Sequence, residues 1–225
     1  AKGPTPTFAL VPGKYRVTGT LGNASVSRDI DVKSATRVVL DFNAGYARLA
    51  MIPARGAKLI PGKIHWEIYH YTKGAIDERL KVTEALESNP QFTLPHGFYT
   101  VRGRYEGVNA EMVMEVKAGI LYKYTMNLYA GTVALSAVND KGKSVKENVR
   151  WNIVRASKGK DGQRIPVASY SEASPSFMLR EGKYVAVVNS GDLVGEVPFE
   201  IKVGKTKKVK VELKPLAAAA AAAGG

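Results

Sequence analysis

The chain repeats itself, and the repeat constrains its fold more than any other feature. Phe8-Ala9-Leu10-Val11-Pro12-Gly13-Lys14-Tyr15 returns as Phe92-Thr93-Leu94-Pro95-His96-Gly97-Phe98-Tyr99 and again as Phe177-Met178-Leu179-Arg180-Glu181-Gly182-Lys183-Tyr184. Phe, Leu, Gly and Tyr hold their columns in all three copies. A second marker appears twice, as Ile64-His65-Trp66-Glu67-Ile68 and Val149-Arg150-Trp151-Asn152-Ile153, each Trp lying 26 residues before the next Phe. A third closes each unit: Phe42-Asn43-Ala44-Gly45 and Leu128-Tyr129-Ala130-Gly131. Three markers in register over about 85 residues describe a supersecondary unit used repeatedly.

The unit reads as strands, because apolar and polar residues alternate where helical spacing is absent. In the second copy the pattern predicts strands near 46–53, 63–71, 79–85, 90–94, 98–105, 109–117 and 120–129. In the third it predicts 132–138, 148–156, 164–170, 175–180, 183–190, 194–203 and 206–214. Seven short strands separated by turn signals suit a β-sandwich. The last strand shows the period most clearly: Val209, Val211 and Leu213 alternate with Lys208, Lys210 and Glu212, one face buried and one wet. In the Phe-x-Leu-x-x-Gly-x-Tyr block, Phe and Leu share a strand face. The Gly supplies a positive φ or a tight bend, and the Tyr returns with its ring in the core and its hydroxyl near the edge. Trp66 and Trp151 are read as core residues.

The succession of a strand, a Trp strand, this hairpin and two closing strands resembles the carboxypeptidase-regulatory-like or transthyretin-like (Ig-like) sandwich repeats of bacterial envelope proteins. The resemblance spans nearly all of residues 1–214. It implies a spacer, stalk or binding module that is periplasmic, on the cell surface or secreted. A related surface-protein family carries Lys–Asn isopeptide crosslinks. The first strands here, Tyr46–Pro53 and Thr132–Val138, contain no Lys, so that chemistry is not carried over.

The expected architecture is all-β: tandem seven-stranded Ig-like or transthyretin-like sandwiches at 45–130 and 131–215. They follow a partial sandwich at 1–44 and precede a low-complexity tail at 216–225, in which Ala217–Ala223 and two Gly are a linker or a placeholder. The closing strand of one unit runs straight into the next, which predicts an elongated rod. The first unit holds only the last four strands of the pattern. Its face of Leu10, Tyr15, Val17, Val38, Leu40 and Phe42 is expected to be covered by further domains of the same chain or by a protein partner. Covering each large side chain is worth roughly 1.5–3 kcal/mol. Two origins are considered: a piece of a longer protein, or strand addition by a partner.

Composition argues against catalysis. Cys is absent, which removes disulfides, thiolate chemistry and Cys-type zinc sites. No Gly-x-Ser-x-Gly elbow and no phosphate-cradling Gly loop occurs. No apolar run is long enough for a membrane-spanning helix, while a cleaved signal peptide would leave no trace. His65, Glu67 and Tyr69 share the outward face of one strand, but a third metal ligand has no evident source, so a solvated face is expected. His96 is expected exposed in its turn. Asn139-Asp140-Lys141-Gly142-Lys143 has the look of a calcium loop, but Lys stands where oxygen ligands are needed. No cofactor is expected, and the chain is read as a non-catalytic structural spacer or an assembly or adhesion component of the bacterial envelope.

Charge carries the alternative. The formal net charge is +13, of which 130–225 holds +7. Lys141, Lys143, Lys146, Arg155, Lys158, Lys160, Arg164, Lys205, Lys207 and Lys208 are the candidate contacts for a polyanion. The alternative function is therefore a carbohydrate- or polyanion-binding module of a larger protein. Aromatic residues are nearly absent from these loops, which ranks an anionic glycan or envelope surface above nucleic acid.

Overall fold

The computed structural model describes residues 3–72 and 78–216. Every named element among them is a β-strand. The first unit contributes β1 (Gly13–Leu21) and β2 (Ala24–Val32), paired antiparallel around a two-residue turn. The second unit contains β3 (Ala44–Ile52), β4 (His65–His70), β5 (Lys81–Leu86), β6 (Gln91–Pro95), β7 (Gly97–Tyr105), β8 (Val108–Val116) and β9 (Leu121–Asn127). The third contains β10 (Ala130–Val138), β11 (Val149–Lys158), β12 (Arg164–Tyr170), β13 (Ser176–Arg180), β14 (Gly182–Ser190), β15 (Leu193–Ile201) and β16 (Thr206–Glu212), followed by a short β17 (Lys214–Pro215).

The two complete units have one topology. The sheet β6-β3-β9 faces β5-β4-β7-β8, and β13-β10-β16 faces β12-β11-β14-β15-β17. In each, the first strand lies centrally, antiparallel to the Phe-x-Leu strand and parallel to the closing strand. Period-two alternation turns one face of every strand into the space between the sheets. One core gathers Leu49, Met51, Trp66, Leu94, Tyr99 and Leu128; the other gathers Leu135, Trp151, Leu179, Tyr184 and Leu213. Both indoles are fully buried, and each Nε1–H donates to a carbonyl 21 residues on: Trp66 to Glu87 at 3.0 Å and Trp151 to Glu172 at 3.1 Å. The hairpin Gly has φ of 159°, 156° and 153° at Gly13, Gly97 and Gly182, backbone space essentially reserved for glycine. The following Tyr donates its hydroxyl to the carbonyl four residues back in all three copies, each at 2.8 Å.

The first unit departs from expectation. Of its four predicted strands only β1 and β2 form, while the stretches 6–11 and 36–43 pair with no strand among the described residues. The reason lies in the topology. Their counterparts in the complete units, β6 with β9 and β13 with β16, do not touch each other but pair on either side of β3 or β10. Without a strand between them, neither stretch has a ladder to join. Leu40 and Phe42 nevertheless lie against Gly19 of β1, each 2.9 Å from where a Cβ would stand, so the two layers of a sandwich are already opposed. The chain exposes 14576 Å², where a compact monomer of this mass would expose about 10,000 Å². The shape is therefore drawn out.

Candidate functional site

The junctions between units are built twice from the same parts. Asn43 and Tyr129 both take left-handed φ, 44° and 50°, uncommon for residues other than glycine. The side chains two residues earlier support them: Asp41 Oδ1 accepts from the Asn43 N–H and Asn127 Oδ1 from the Tyr129 N–H. The Asn43 carbonyl then accepts from the His96 N–H at 2.7 Å, as Tyr129 accepts from Glu181 at 3.0 Å. The Ala44 carbonyl accepts from Gly119, and Ala130 from Gly204, each at 2.8 Å. Next in line stand Gly45 and Gly131. A Cβ on Gly45 would collide with the Lys117 carbonyl, and one on Gly131 with those of Lys202 and Lys205. Only glycine lets the entering strand pass so close to the turn before the closing strand.

A second contact recurs across each junction. The β1–β2 turn docks on β6: the Asn23 N–H donates to the Thr93 carbonyl at 3.0 Å, and a Cβ on Gly22 would stand only 2.6 Å from Thr93 Cβ, so the turn packs too closely for any larger residue. The β7–β8 turn docks likewise on β13, where the Glu106 carboxylate accepts from the Met178 N–H at 3.2 Å and Met178 packs against the second unit's core. Thr93 and Met178 are the same position, the middle residue of Phe-x-Leu. Nothing in the one-dimensional pattern announces this contact, because the middle residue differs in each copy.

The open face of the first unit is apolar. Leu10 is exposed, and Tyr15, Val17, Val38, Leu40 and Phe42 are half-buried against one another's layer. Phe8 and Val11 beside them are also exposed.

The ten basic residues do not form one surface. Lys141, Lys143 and Lys146 follow the end of β10, where Val138 bridges Ser144. Lys205, Lys207 and Lys208 lie beside the start of β10, and the β11–β12 hairpin with Arg155, Lys158, Lys160 and Arg164 lies at that same end. The nine residues of β10 separate the two groups by about 25–30 Å. Two of the cations are engaged: Arg164 pairs with Glu196, and the Arg155 guanidinium sits 4.9 Å above the centre of the Tyr184 ring. Lys207 and Lys208 lie on β16, an edge strand, where lysine discourages unwanted pairing. The Asn139–Lys143 turn spends its oxygens internally, Asn139 Oδ1 accepting from the Lys141 and Lys143 amides and Asp140 Oδ1 from that of Lys141.

The face of His65, Glu67 and Tyr69 is not solvated as expected: Glu67 and Tyr69 are each only 7% exposed. Register supplies the third metal-ligand type that the sequence alone did not reveal, since Glu84 of β5 stands opposite Glu67 of β4. His65, Glu67 and Glu84 offer ligand atoms within 4.8 Å of one another. Cations and donors already stand at both carboxylates, although Glu67 Oε2 faces Arg104 without a well-directed hydrogen bond. Glu84 meets Lys81 at 2.9 Å and His65 at 3.3 Å; Glu67 meets Arg104 at 2.9 Å and accepts from the Tyr69 hydroxyl at 3.0 Å. The Tyr69 phenol is pushed up by burial and by Glu67, while Glu84 is held below the ordinary carboxylate range by Lys81 and then His65. This donor set suits a salt-bridged sheet face better than a cation site. His96 is exposed in its turn.

Residues 132–213 match the family model of a Rhizobiales growth-associated tandem repeat domain. No curated protein matches the chain. Among solved structures, the Bacillus anthracis TIE protein is 19% identical, with a TM-score of 0.31, the match covering 91% of this chain and 42% of that one. This chain thus spans less than half of that protein's length. A double mutant of the shaft pilin SpaA from Lactobacillus rhamnosus GG is 10% identical, with TM-score 0.39 and coverage of 77% and 97%. The minor pilin GBS52 of Streptococcus agalactiae is 14% identical, with TM-score 0.40 and coverage of 76% and 96%.

Proposed function

We propose that the chain is a non-catalytic structural component of the bacterial envelope or surface, a spacer whose sandwiches at 45–130 and 131–215 set the distance and orientation of what they connect. The observation that carries this reading is the twice-built junction. Two carbonyls of the linking residues, a glycine admitting close approach and a docked hairpin turn recur at 43–45 and 129–131. A linker so bonded resists rotation, whereas a flexible tether needs no such bonds. The tandem-repeat family match and the accessible area agree with a rod. Small-angle scattering tests it: one elongated particle whose length is insensitive to salt is expected, and a compact or freely jointed particle overturns the reading. Fractionation of expressing cells tests location, with recovery from the periplasm, surface or medium expected.

A second reading has one observation in its favour. Lys158 and Arg164 line a shallow groove on the β11–β12 hairpin together with Val154, Gln163 and Val187, and Lys160 lies in the turn between them. An anionic glycan bound there would be released by salt. A sulfated-glycan titration at two ionic strengths, with and without Lys158→Glu and Lys160→Glu, decides it.

A further inference from the structure

We infer that the junction between the second and third units is a contact site for an anionic glycan, with Tyr129 as its stacking platform and Arg55, Lys58, Lys202 and Lys205 as its cations. The inference rests on the glycan reading, gives it a site apart from the β11–β12 groove, and does not depend on the spacer reading. Two turns hold Ala130 between them. Its N–H donates to the Pro53 carbonyl at 2.9 Å, and its carbonyl accepts from the Gly204 N–H at 2.8 Å. One turn closes through the Ala57 N–H to the Ala54 carbonyl, the other through the Lys205 N–H to the Lys202 carbonyl, each at 3.1 Å. The turns also touch, since a Cβ on Gly204 would stand 2.9 Å from Ala54 Cβ. Arg55 and Lys205 are thus the chain neighbours of two residues in contact, with Lys58 and Lys202 in or beside the same turns. All four cations are exposed. The stretches 53–63 and 201–208 contain no acid, and none of the four forms an ion pair among the described residues. Glu181, whose N–H donates to the Tyr129 carbonyl, stands in sequence between Arg180 and Lys183.

The fold does not ask for these side chains. At the first junction the equivalent turn, Lys117–Ile120, makes the same backbone bonds to Ala44 and Tyr46. There Lys117 pairs with Glu115 at 3.5 Å, and Ile120 stands in the place of Lys205. A cluster of like charges without counter-charge at a bonded junction attracts anions. Tyr129 adds the second feature. It holds a φ of 50°, where its counterpart Asn43 holds 44°. Asn tolerates the left-handed region, whereas a bulky ring there is strained, and such strain gathers at binding sites. The ring gains nothing from the core in return: it is 57% exposed, with no ring contact or side-chain hydrogen bond among the described residues. A tyrosine so placed offers an apolar ring face to the C–H face of a sugar and a hydroxyl to its polar edge. A linear glycan bearing carboxylate or sulfate groups satisfies the ring and the cations together. Neither turn supplies a second ring for consecutive bases, which ranks single-stranded nucleic acid lower.

The test uses the intact chain and a linear galacturonate oligomer, with dextran sulfate as the sulfated arm and uncharged dextran and a thymidine oligomer as comparisons. Saturable binding of a charged glycan is expected, weakened by salt, with amide shifts at 55–58, 129–131 and 202–205. Whichever charged glycan binds names the anionic group. Tyr129→Asn installs the residue the first junction uses, so the junction stays folded, and binding should weaken about fivefold. Arg55→Glu with Lys205→Glu should weaken it by about tenfold or more and flatten the salt dependence. Lys158→Glu with Lys160→Glu should leave it unchanged. Binding untouched by Tyr129→Asn, equal binding of uncharged dextran, or tighter binding of the thymidine oligomer overturns the proposal. Loss of binding only in the β11–β12 variant overturns this site and leaves the glycan reading standing, whereas no binding of either charged glycan overturns both. Scattering reports on the spacer reading separately.

Discussion

Phe92 and Phe177 are 6% and 4% exposed; Phe8, in the same column of the same motif, is 56% exposed. Leu94 and Leu179 are buried, whereas Leu10 is 45% exposed. The residues are identical, the hairpins that follow them are alike, and the Tyr hydroxyl makes the same bond in all three. What differs is the strand between the Phe strand and the closing strand. The comparison separates local from non-local causes. The hairpin forms from its own turn and its own alternation. The Phe-x-Leu segment becomes a strand only when a central strand gives it a ladder and a lid, because an edge segment alone does not repay its ordering.

The widest contrast is in the core. Phe177→Ala and Phe92→Ala should each cost about 3–5 kcal/mol, the usual cost of emptying an aromatic site in a packed interior. Phe8→Ala should fall within about 0.5 kcal/mol, as for an exposed position. Denaturant titration followed by indole emission measures all three. Equal costs in the three columns would mean that the first unit is covered in solution. The junction glycines come next. Gly131→Ala and Gly45→Ala place a methyl against backbone carbonyls that side-chain movement cannot clear, and about 1–3 kcal/mol of overpacking is expected. Scattering should also show a bent or loosened rod. A variant of unchanged length and stability would show that the junction yields more easily than its contacts indicate.

Much of this was legible in the sequence, and the part that was not has a physical pattern. Strand positions followed from alternation and turn residues, so the 164–170 prediction coincides with β12 and most others fall within two residues of the observed bounds. The positive φ of the hairpin glycine and the burial of both Trp residues followed from the motif itself. The junction was visible only as a recurring Ala-Gly. Its bonds to His96 and Gly119, or to Glu181 and Gly204, join residues more than 50 positions apart and depend on how two sheets meet. Glu84 was missed beside His65 and Glu67 because alternation within one strand does not fix the register of its neighbour, which here shifts at Ile68/Tyr69. The loss of strands in the first unit was missed because alternation records what a segment can pair with, not whether a neighbour is present.

Smaller effects sharpen the contrast at the Tyr column. Tyr99→Phe and Tyr184→Phe leave the Pro95 and Arg180 carbonyls without their phenol donor and should cost about 0.5–1.5 kcal/mol each. Tyr15→Phe removes the same bond where water can replace it, so a smaller loss is expected. Burial raises the Tyr99 and Tyr184 phenols above their ordinary range. Their folded pKa exceeds the unfolded one, so the stabilisation is complete below the unfolded value near 10 and is lost as pH rises through the folded value. Alkaline unfolding monitored by phenolate absorbance should show both ionising late and together with loss of their sandwiches.

The smallest expected effect compares two exposed acids. In the first unit Asp29 stands opposite Arg16 in the β1–β2 register and takes two hydrogen bonds from its guanidinium, at 2.8 and 2.9 Å. In the second, Glu84 takes its bonds from Lys81 and His65. Both carboxyls are held below the ordinary range, Asp29 by Arg16 and Glu84 first by Lys81. A depressed folded pKa stabilises the native state above the unfolded value near 4, and the gain is lost as pH falls through the folded value. Full exposure and ordinary salt keep the effect slight, so side-chain carbon shifts are a better reporter than unfolding curves. Glu84 should titrate low whatever happens to the first unit. Asp29 should titrate low only if the hairpin holds its register without a third strand beside it. An Asp29 that titrates like one in an unstructured peptide, next to a depressed Glu84, would show that the β1–β2 hairpin does not hold its register on local contacts alone.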